Sequence, residues 1–367
     1  MPSEALFAGV FARGGVAVEV SSVAWLQAML DTEAALARVT APPAVADTIA
    51  AACRAEGFDV EAIGRAGAQG GNPVIPLVAA LRERVGPEAA AYVHVGATSQ
   101  DILDTSAMLI ATRSLQILFP DARAAADGCA ALAAEHRDTP MIGRTLLRQA
   151  LPTTFGLKAA GWMAGVDAAC HALAAFVPAA QLGGPVGTGS PHIADALAEA
   201  LGLAAPTLPW HAERSRITTL AAALTLLTGS LGRIGRDVSL LTQDEVGELR
   251  VADPGGSSSM GHKRNPVAAV ALVACAERAP GLLASLAGSM VGEHERAAGA
   301  WHAEWEPFAD LLRLAGAAAS WGRLLIAGLE VDASRMAANL DDAVSRFAIS
   351  PDPGAAGELV DRALAAR

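Results

Sequence analysis

The sequence predicts an all-α fold, in which a long central helical bundle carries a small N-terminal helical lobe and a short C-terminal lobe. Of the 367 residues, 52% are hydrophobic but only 4% are aromatic, and alanine is abundant. Strands favour β-branched and aromatic residues, whereas small apolar residues suit closely packed helices. Several long segments also carry apolar residues at helical spacing, and few segments alternate as strands do. Together these observations favour helices packed on helices.

The N-terminal part predicts a first helix with a clear start. Ser21 or Ser22 can cap a helix that runs to about Val39. The apolar side chains of this helix share one face, and they are Val23, Leu26, Leu30, Ala34 and Ala37. A looser stretch rich in proline and glycine follows, through Pro73. The N-terminal lobe is therefore expected to be made of shorter helices than the bundle.

Five long helices account for the predicted bundle. They are expected at 106–136 with a bend near Pro120, 153–177, 213–250, 266–292 and 306–329. The segments between them are the places for chemistry, at 140–152, 181–192, 251–265 and 293–305. Three domains follow from this division, namely an N-terminal helical domain at 1–105, the bundle at 106–335 and a short helical tail at 336–367.

Charge and cysteine usage limit the classes of partner. The formal net charge of −11 argues against a nucleic-acid partner. The four cysteines have no C-x-x-C spacing, which favours free thiols in a reducing compartment. The N-terminus has no basic stretch followed by an apolar run, so we expect no signal peptide. The predicted localisation is cytoplasmic.

The hydropathy of the chain raises the question of a membrane, because its mean value is +0.35. The longest uncharged stretch, from Ala172 to Ala194, is interrupted by prolines and glycines. Another, Ile217–Gly232, is shorter than the ~20 residues that a membrane span needs. We therefore expect no membrane contact. Helices that are apolar on most faces have to be covered on most faces, which predicts an oligomer.

Residues 256–266 are the most informative segment, with the sequence Gly-Ser-Ser-Ser-Met-Gly-His-Lys-Arg-Asn-Pro. Glycines at its start and a proline at its end predict a loop. The chain has only two lysines and three asparagines, and Lys263 and Asn265 both lie here. A loop with these side chains, serine hydroxyls and free amides can transfer a proton and bind a carboxylate. The plain alternative is a flexible surface turn.

A second polar segment runs from His94 to Asp104. Thr98 and Asp101 have the spacing of a capping box, with aspartate in place of the usual glutamate or glutamine. The motif is therefore expected at a helix N-terminus, where free amides and the helix dipole favour an anion. A capped helix with an incidental histidine is the alternative.

A third segment, 143–152, contains two arginines and a glutamine. Arginine can hold a carboxylate through two parallel hydrogen bonds, so Arg144 and Arg148 are candidates for binding an acidic substrate. A solvated start of the next helix explains the same residues without any ligand.

Motifs for metals and cofactors are missing from the sequence. His294 and His302 lie among glutamates in the fourth polar segment, 293–305, but neither His-x-x-x-His nor His-Glu-x-x-His spacing occurs. Tryptophans filling an interface explain that segment equally well. The glycine-rich stretch 183–189 lacks a P-loop lysine, so it predicts a loop whose backbone passes close to another group. No Gly-x-Ser-x-Gly elbow is present. We expect neither a metal nor a cofactor.

Together the four segments resemble the fumarase/aspartase superfamily over about residues 20–330. The signature loop of that superfamily reads roughly Gly-Ser-Ser-x-Met-Pro-x-Lys-x-Asn-Pro, and residues 256–266 match it except that Gly261 stands where proline is usual. Within the superfamily the likeness is greatest to the branch of bacterial 3-carboxy-cis,cis-muconate cycloisomerases. The stretches that carry this likeness are His94-Val-Gly-Ala-Thr-Ser-Gln-Asp101, Gln149-Ala-Leu-Pro152, Gln181-Leu-Gly-Gly184 and Glu293-His-Glu-Arg296.

Two departures from the wider superfamily are informative. Its fumarase-like, argininosuccinate and adenylosuccinate lyases carry a histidine at the position of Leu146. Leucine cannot transfer a proton, so Leu146 favours the cycloisomerase branch, which typically lacks this histidine. Arg148 stands where the superfamily usually has glutamine, and an added cation suits a substrate with three carboxylates.

The resemblance implies a cycloisomerase that converts 3-carboxy-cis,cis-muconate to 4-carboxymuconolactone, in the protocatechuate branch (the β-ketoadipate pathway) of aromatic catabolism. A carboxylate of the small tricarboxylate substrate adds across a C=C bond of the same molecule, which requires no cofactor or metal. The residues implied in catalysis are Ser257, Ser258, Lys263 and His94. The residues implied in substrate binding are Thr98, Ser99, Gln100, Arg144, Thr145, Arg148, Gln149, Asn265 and Arg296. The resemblance also implies a homotetramer whose active sites are shared between subunits.

Within that mechanism Ser257 is the expected proton donor, with Ser258 as the alternative. Two other functions remain open. One is an adenylosuccinate-lyase-like C–N lyase that releases fumarate, against which Leu146 argues. The other is a helical oligomer without catalytic activity, against which the intact Ser, Lys and Asn of the loop argue. Glycine at position 261 loosens the loop relative to proline.

Overall fold

The computed structural model describes the backbone of residues 2–367 and side chains from Leu6 onward. The helices in chain order are α1 (Pro2–Phe11), α2 (Val16–Glu19), α3 (Ser22–Thr40), α4 (Pro43–Ala52), α5 (Val60–Gly70), α6 (Val74–Ala90), α7 (Ser99–Glu135), α8 (Phe155–Ala174), α9 (Pro191–Leu201), α10 (Ser215–Leu241), α11 (Val267–Gly288), α12 (Ala300–Ala327), α13 (Ala333–Phe347) and α14 (Ala356–Ala365). The strands are β1 (Pro140–Thr145), β2 (Arg148–Thr154), β3 (Leu249–Val251) and β4 (Leu329–Val331). Strand β1 pairs antiparallel with β2, and β3 pairs antiparallel with β4. The predicted all-α class is confirmed.

The bundle consists of α7, α8, α10, α11 and α12, which are the five predicted long helices. Helix α10 packs against α8, α11 and α12, and α7 packs against α8 and α12. Small residues allow this close packing. A Cβ on Gly232 would lie 2.2 Å from Ala276 Cβ, and one on Gly235 would lie 2.5 Å from the carbonyl oxygen of Ala269. The alanine-rich, aromatic-poor composition therefore has a direct packing reason.

The largest differences from the predicted helix bounds are at the ends of three helices. Helix α7 begins at Ser99 instead of residue 106, because the Thr98–Asp101 capping box starts it. Helix α12 begins at Ala300 instead of residue 306, and Pro307 lies inside it. Helix α10 ends at Leu241 instead of residue 250, because the backbone turns through Gly247, where φ is +63°, and continues into β3. The predicted cap of α3 is confirmed, since Ser21 Oγ accepts the backbone N–H of Ala24 at 3.2 Å.

The predicted boundary between the first two domains lies inside α7. Buried apolar residues nevertheless form two large clusters, and different parts of α7 contribute to each of them. Ile102 and Leu103 belong to the cluster around α3 and α6, whereas residues from Ala107 onward belong to the bundle. The limits 1–105, 106–335 and 336–367 remain predictions.

The segment 140–152 lies between two of the predicted helices, and no strand was predicted in it. It forms most of the hairpin of β1 and β2, which turns through Leu146 and Leu147. Both leucines adopt left-handed backbone conformations, with φ of 49° and 63°. Tight hairpin turns of this kind normally contain asparagine, aspartate or glycine, so the sequence gives no turn signal here. The base of the hairpin is held by Ile142, which packs against Leu340 of α13.

Three helices, α7, α10 and α11, are long and apolar enough to cross a membrane when only length and composition are considered. Their most apolar windows are buried to different extents within the chain, by 67%, 56% and 28% respectively. Helix α11 in particular leaves most of its apolar window open. The chain therefore presents an exposed apolar surface along α11, and surfaces of this kind are typical of interaction sites.

Candidate active site

The predicted site residues lie at two ends of the bundle. Helix α7 has 37 residues, which at 1.5 Å per residue is about 55 Å. One end, which we call the α7 start, contains residues 94–104 and the segment 293–304. The other, the hairpin end, contains residues 140–154, which follow α7, and the loop 255–266, which precedes α11. Helix α11 then runs back from the hairpin end to the α7 start.

At the α7 start, Asp101 ties three chain segments together. Its carboxylate is fully buried and accepts the backbone N–H groups of Thr98, Gly183 and Gly184 at 2.8, 2.8 and 2.9 Å. The imidazole of His211 lies 2.6 Å from the same carboxylate. The glycine-rich stretch was predicted to pass close to another group, and Asp101 is that group. Asp101 thus completes the predicted capping box and fixes the loop beside it.

Arg296 and two predicted binding residues meet at this end. The guanidinium of Arg296 donates to Thr98 Oγ1 and, at 3.1 Å, to Gln100 Oε1. Gln100 is 1% exposed, and its amide nitrogen donates to Asp104 at 3.2 Å and to the His211 carbonyl at 2.8 Å. The amide of Gln100 is thus fully engaged within the chain. These contacts hold Gln100 beside Arg296, and a role for Gln100 in binding substrate stays a prediction. Ser99 is the first residue of α7 and is half-buried.

His94 lies just before α7 in a left-handed backbone conformation, with φ of 65°. Its Nδ1 is 2.6 Å from Oε1 of Glu33, whose side chain is completely buried. The ring itself remains partly accessible, with 16% of the side chain exposed. His94 is therefore a partly open imidazole backed by a buried carboxylate, an arrangement suited to proton transfer or to binding an anion.

Sequence reasoning missed Arg214, the central cation of this end. Arg214 is 4% exposed and bridges Asp104 of α7, at 2.8 and 3.1 Å, to Glu304 of α12, at distances from 2.5 to 3.1 Å. Trp301 Nε1 donates to the same Asp104 at 3.0 Å. Burial raises the pKa of Glu304, and Arg214 opposes that rise. Burial alone would lower the pKa of Arg214, but the two carboxylates outweigh it, so the guanidinium stays charged.

A signal for Arg214 was present in the sequence. Asp104 and Glu304 both lie among apolar residues of long helices, and a buried carboxylate needs a cation. The sequence alone does not say which of many arginines supplies it.

At the hairpin end, Arg144 has a different partner from the predicted one. Its guanidinium forms a bidentate pair with the fully buried carboxylate of Glu248, at 2.7 and 2.8 Å. This pair joins the hairpin to the segment after α10, and substrate binding by Arg144 stays a prediction. Thr145 and Arg148 face each other in register at the exposed tip, and Gln149 lies opposite Arg144. Arg148 is therefore the positively charged residue that is exposed to solvent at the hairpin tip.

The serine-rich segment is a loop, as predicted, and its ends are fastened together. Backbone hydrogen bonds join Gly255 and Asn265 in both directions, at 2.8 and 2.9 Å. The side chain of Asn265 donates to the Gly256 carbonyl at 2.9 Å, so this amide shapes the loop. Ser258 and Lys263 are exposed.

Within this loop Ser257 differs from its neighbours. Its Oγ accepts the backbone N–H of Met260 at 3.2 Å and that of Ser259 at 3.4 Å. Two amides that point at one hydroxyl oxygen stabilise negative charge on it. Ser257 is therefore better prepared than Ser258 to give up a proton and remain as an alkoxide.

The two ends do not meet within one chain. In the part of the chain that the structure describes, no hydrogen bond or ion pair links the residues of the α7 start to the loop 256–264 or to the hairpin tip. The length of α7, about 55 Å, explains why. A site that uses His94 and Lys263 together therefore needs at least a second copy of the chain.

Metal binding and thiol chemistry find little support at either end. Among residues whose side chains are described, no group of three or more His, Cys, Asp or Glu is arranged to hold a metal ion. Burial raises the pKa of Cys53 and Cys129 to about 12, so these thiols stay protonated and unreactive at neutral pH.

Comparison with known proteins places this arrangement in a family. A family model described as lyase matches residues 13–281. The chain belongs to this lyase family, the fumarase/aspartase superfamily. The resemblance found in the sequence is thereby confirmed, and the chain is an enzyme of that superfamily.

Individual members of the superfamily are similar over most of the chain. A 3-carboxy-cis,cis-muconate cycloisomerase of Pseudomonas aeruginosa is 44% identical over 360 residues, covering 93% of this chain and 78% of that protein. A nitrosuccinate lyase of Streptomyces davaonensis is 46% identical over 363 residues, covering 90% and 76%. The crystal structure of a 3-carboxy-cis,cis-muconate lactonizing enzyme from Pseudomonas putida superposes with a TM-score of 0.86 at 39% identity, covering 98% of this chain and 87% of that chain.

Proposed function

We propose that the protein is a cycloisomerase that converts 3-carboxy-cis,cis-muconate to 4-carboxymuconolactone. The observation that carries this proposal is the 44% identity to a cycloisomerase over 93% of the chain. Leu146 supports it, because the hairpin tip presents an aliphatic side chain, 96% exposed, at the position where other lyases of the superfamily carry a histidine. A reaction that needs an imidazole from that position is disfavoured.

In the proposed reaction an oxygen of one substrate carboxylate forms a bond to a carbon of the C=C bond. Negative charge then builds on the carboxylate beside the carbon that gains a proton. Lys263 and loop amides stabilise this charge, which is where preorganised donors contribute most to catalysis. Ser257 donates the proton, and the amides of Ser259 and Met260 stabilise the alkoxide that remains until solvent reprotonates it.

Substrate carboxylates are bound by cations and hydroxyls from both ends of the bundle. Arg296 and Thr98 already form one polar cluster at the α7 start, with His94 before the same helix. Arg148 at the hairpin tip supplies a further cation, which suits a third carboxylate. Because these groups are far apart in one chain, we propose that sites form where copies meet, in a homotetramer.

The surface of the bundle supports such an assembly. An open groove between α8 and α10 is lined mainly by small residues, and its lining includes Gly161, Gly165, Ala222, Leu226, Gly229 and Arg233. Grooves of this composition let a neighbouring helix approach closely. The apolar windows of α10 and α11 are then covered by other copies of the chain, with no membrane involved. The four cysteines are free and buried, which supports a reducing cytoplasmic location.

A second function is favoured by one observation, the 46% identity to a nitrosuccinate lyase. Removal of nitrite, together with a proton from the adjacent carbon, would convert nitrosuccinate to a C4 dicarboxylate with a new double bond. That substrate has two carboxylates, so it gives the hairpin-tip Arg148 no third carboxylate to bind. We therefore place this reaction second, as a C–N lyase alternative.

A side-by-side assay distinguishes the two reactions. Loss of the diene absorbance of 3-carboxy-cis,cis-muconate in the ultraviolet reports lactonisation, and colorimetric nitrite detection reports the lyase reaction. We expect kcat/KM of at least about 10⁴ M⁻¹s⁻¹ for the muconate, the low end of typical enzymes, and far less for nitrosuccinate. The reverse order would replace the proposal by the lyase reaction, and adenylosuccinate is the third substrate to test.

A further inference from the structure

We infer that Glu33 is a positioning residue, which holds the ring of His94 so that Nδ1 carries a proton and Nε2 is the nitrogen presented to substrate. The inference deepens the proposed function, because it rests on His94 facing the substrate. It assigns a role to a residue of the N-terminal lobe, outside the four polar segments that the sequence singled out.

The first support is the geometry of the pair. Helix α3 places Glu33 on its buried face, and Oε1 lies 2.6 Å from Nδ1 of His94. A carboxylate without a proton only accepts hydrogen bonds, so in that form of Glu33 the ring nitrogen that faces it carries the proton. This contact leaves Nε2, on the opposite edge of the ring, free for a ligand. A charged ring then donates Nε2–H to a substrate carboxylate, and a neutral ring accepts at the same nitrogen.

The second support is that burying the Glu33 carboxylate lowers the stability of the fold. Its side chain is completely buried on a helix face otherwise rich in leucine and alanine. Among the residues with described side chains, its other oxygen, Oε2, has no hydrogen-bond partner. A half-satisfied carboxylate destabilises a core, and an apolar residue of similar size would serve packing better. A carboxylate kept here is explained by what it does to His94.

The third support is the backbone that presents the ring. His94 has φ of 65°, a left-handed backbone conformation that residues other than glycine rarely adopt. Strained conformations of this kind persist where surrounding contacts determine them, and the Glu33 contact is one that the structure shows. Two residues later Gly96, with φ of 75°, turns the chain towards Thr98 and the start of α7. The ring is thus held from both its side chain and its backbone.

Two substitutions separate positioning from packing. Glu33→Gln removes the charge but keeps an amide oxygen that can accept from Nδ1–H, whereas Glu33→Met keeps the size and removes the acceptor. The matched control is Glu61→Met, which removes a glutamate whose side chain is 86% exposed on α5. Protonation of each ring nitrogen is read by solid-state NMR of sedimented protein carrying ¹⁵N-labelled histidine, with His94 assigned by difference from His94→Gln.

The wild type, Glu33→Gln and Glu61→Met should all show Nδ1 of His94 protonated. Glu33→Met should show the Nε2–H form, a loss in kcat/KM of about tenfold or more, and a melting temperature equal to or above that of the wild type. Unprotonated Nδ1 in the wild type, or native kcat/KM in Glu33→Met, would overturn the inference. If the wild type turned over no muconate, the proposed function would fail, whereas the NMR result would still decide the role of Glu33.

Discussion

Replacing Arg214 with methionine should destabilise the protein by about 3–5 kcal/mol. Methionine fills much of the same space but leaves Asp104 and Glu304 buried without their cation, and breaking a buried ion pair from one side costs about that amount. An unfolding entropy of roughly 2.1 cal/mol/K for each of 367 residues gives about 0.8 kcal/mol/K in total. The melting temperature should therefore fall by about 4–6 °C.

The size of this loss should depend on pH. Burial raises the pKa of Glu304, and removing Arg214 takes away the contact that opposes the rise. The folded variant then binds a proton at pH values where the unfolded chain does not, so its stability falls as pH rises through the folded pKa. The difference in melting temperature from the wild type should thus be smaller near about pH 5.5 than near about pH 8.

Differential scanning fluorimetry at both pH values, at one fixed protein concentration, measures these effects. Arg214→Lys keeps a charge but loses the planar fork that reaches both carboxylates, so its melting temperature should lie between those of the wild type and Arg214→Met. Adding Glu304→Gln to Arg214→Met should recover part of the loss. An Arg214→Met variant that melts like the wild type at both pH values would show that Arg214 does not stabilise the buried Asp104 and Glu304.

Three further outcomes follow from the site and the assembly. Ser257→Ala should lower kcat by about 10²–10⁴ with an unchanged circular dichroism spectrum, and near-native turnover in both Ser257→Ala and Ser258→Ala would contradict a loop serine as proton donor. A mixture of inactive His94→Gln and Lys263→Met variants, unfolded and refolded together, should regain activity that neither has alone, and no recovery would argue against shared sites. Gly229→Leu has open space in the single chain, so it should fold but fail to reach four times 37.2 kDa by light scattering; an intact tetramer would show that no helix docks in that groove.

Much of the fold could be predicted because its signals are local. Apolar spacing marked the five long helices, and the Thr98–Asp101 pair marked the start of α7. The hairpin was not predicted because Leu146 and Leu147 form its turn, whereas such turns normally contain glycine or asparagine. The start of α12 was predicted too late for a related reason, because Pro307 lies inside this helix and not at its start.

The pairing of the polar side chains could not be predicted from the sequence. The sequence cannot tell whether a side chain already has hydrogen-bond partners within the chain, as Gln100 and Arg144 do. The residues that hold the site in place were missed, because their partners are distant in sequence. Glu33 is 61 residues from His94, and Arg214 is 110 residues from Asp104. Only packing brings them together.

The central claim is that the protein closes a lactone ring by adding a carboxylate and one proton across a double bond. The most direct measurement is a ¹H NMR time course with 3-carboxy-cis,cis-muconate in D₂O. We expect conversion to 4-carboxymuconolactone with one deuterium per molecule, on the former alkene carbon that gained the proton next to a carboxylate. Ser257→Ala should lose this conversion. A folded protein that leaves the muconate unchanged while releasing nitrite from nitrosuccinate would contradict it.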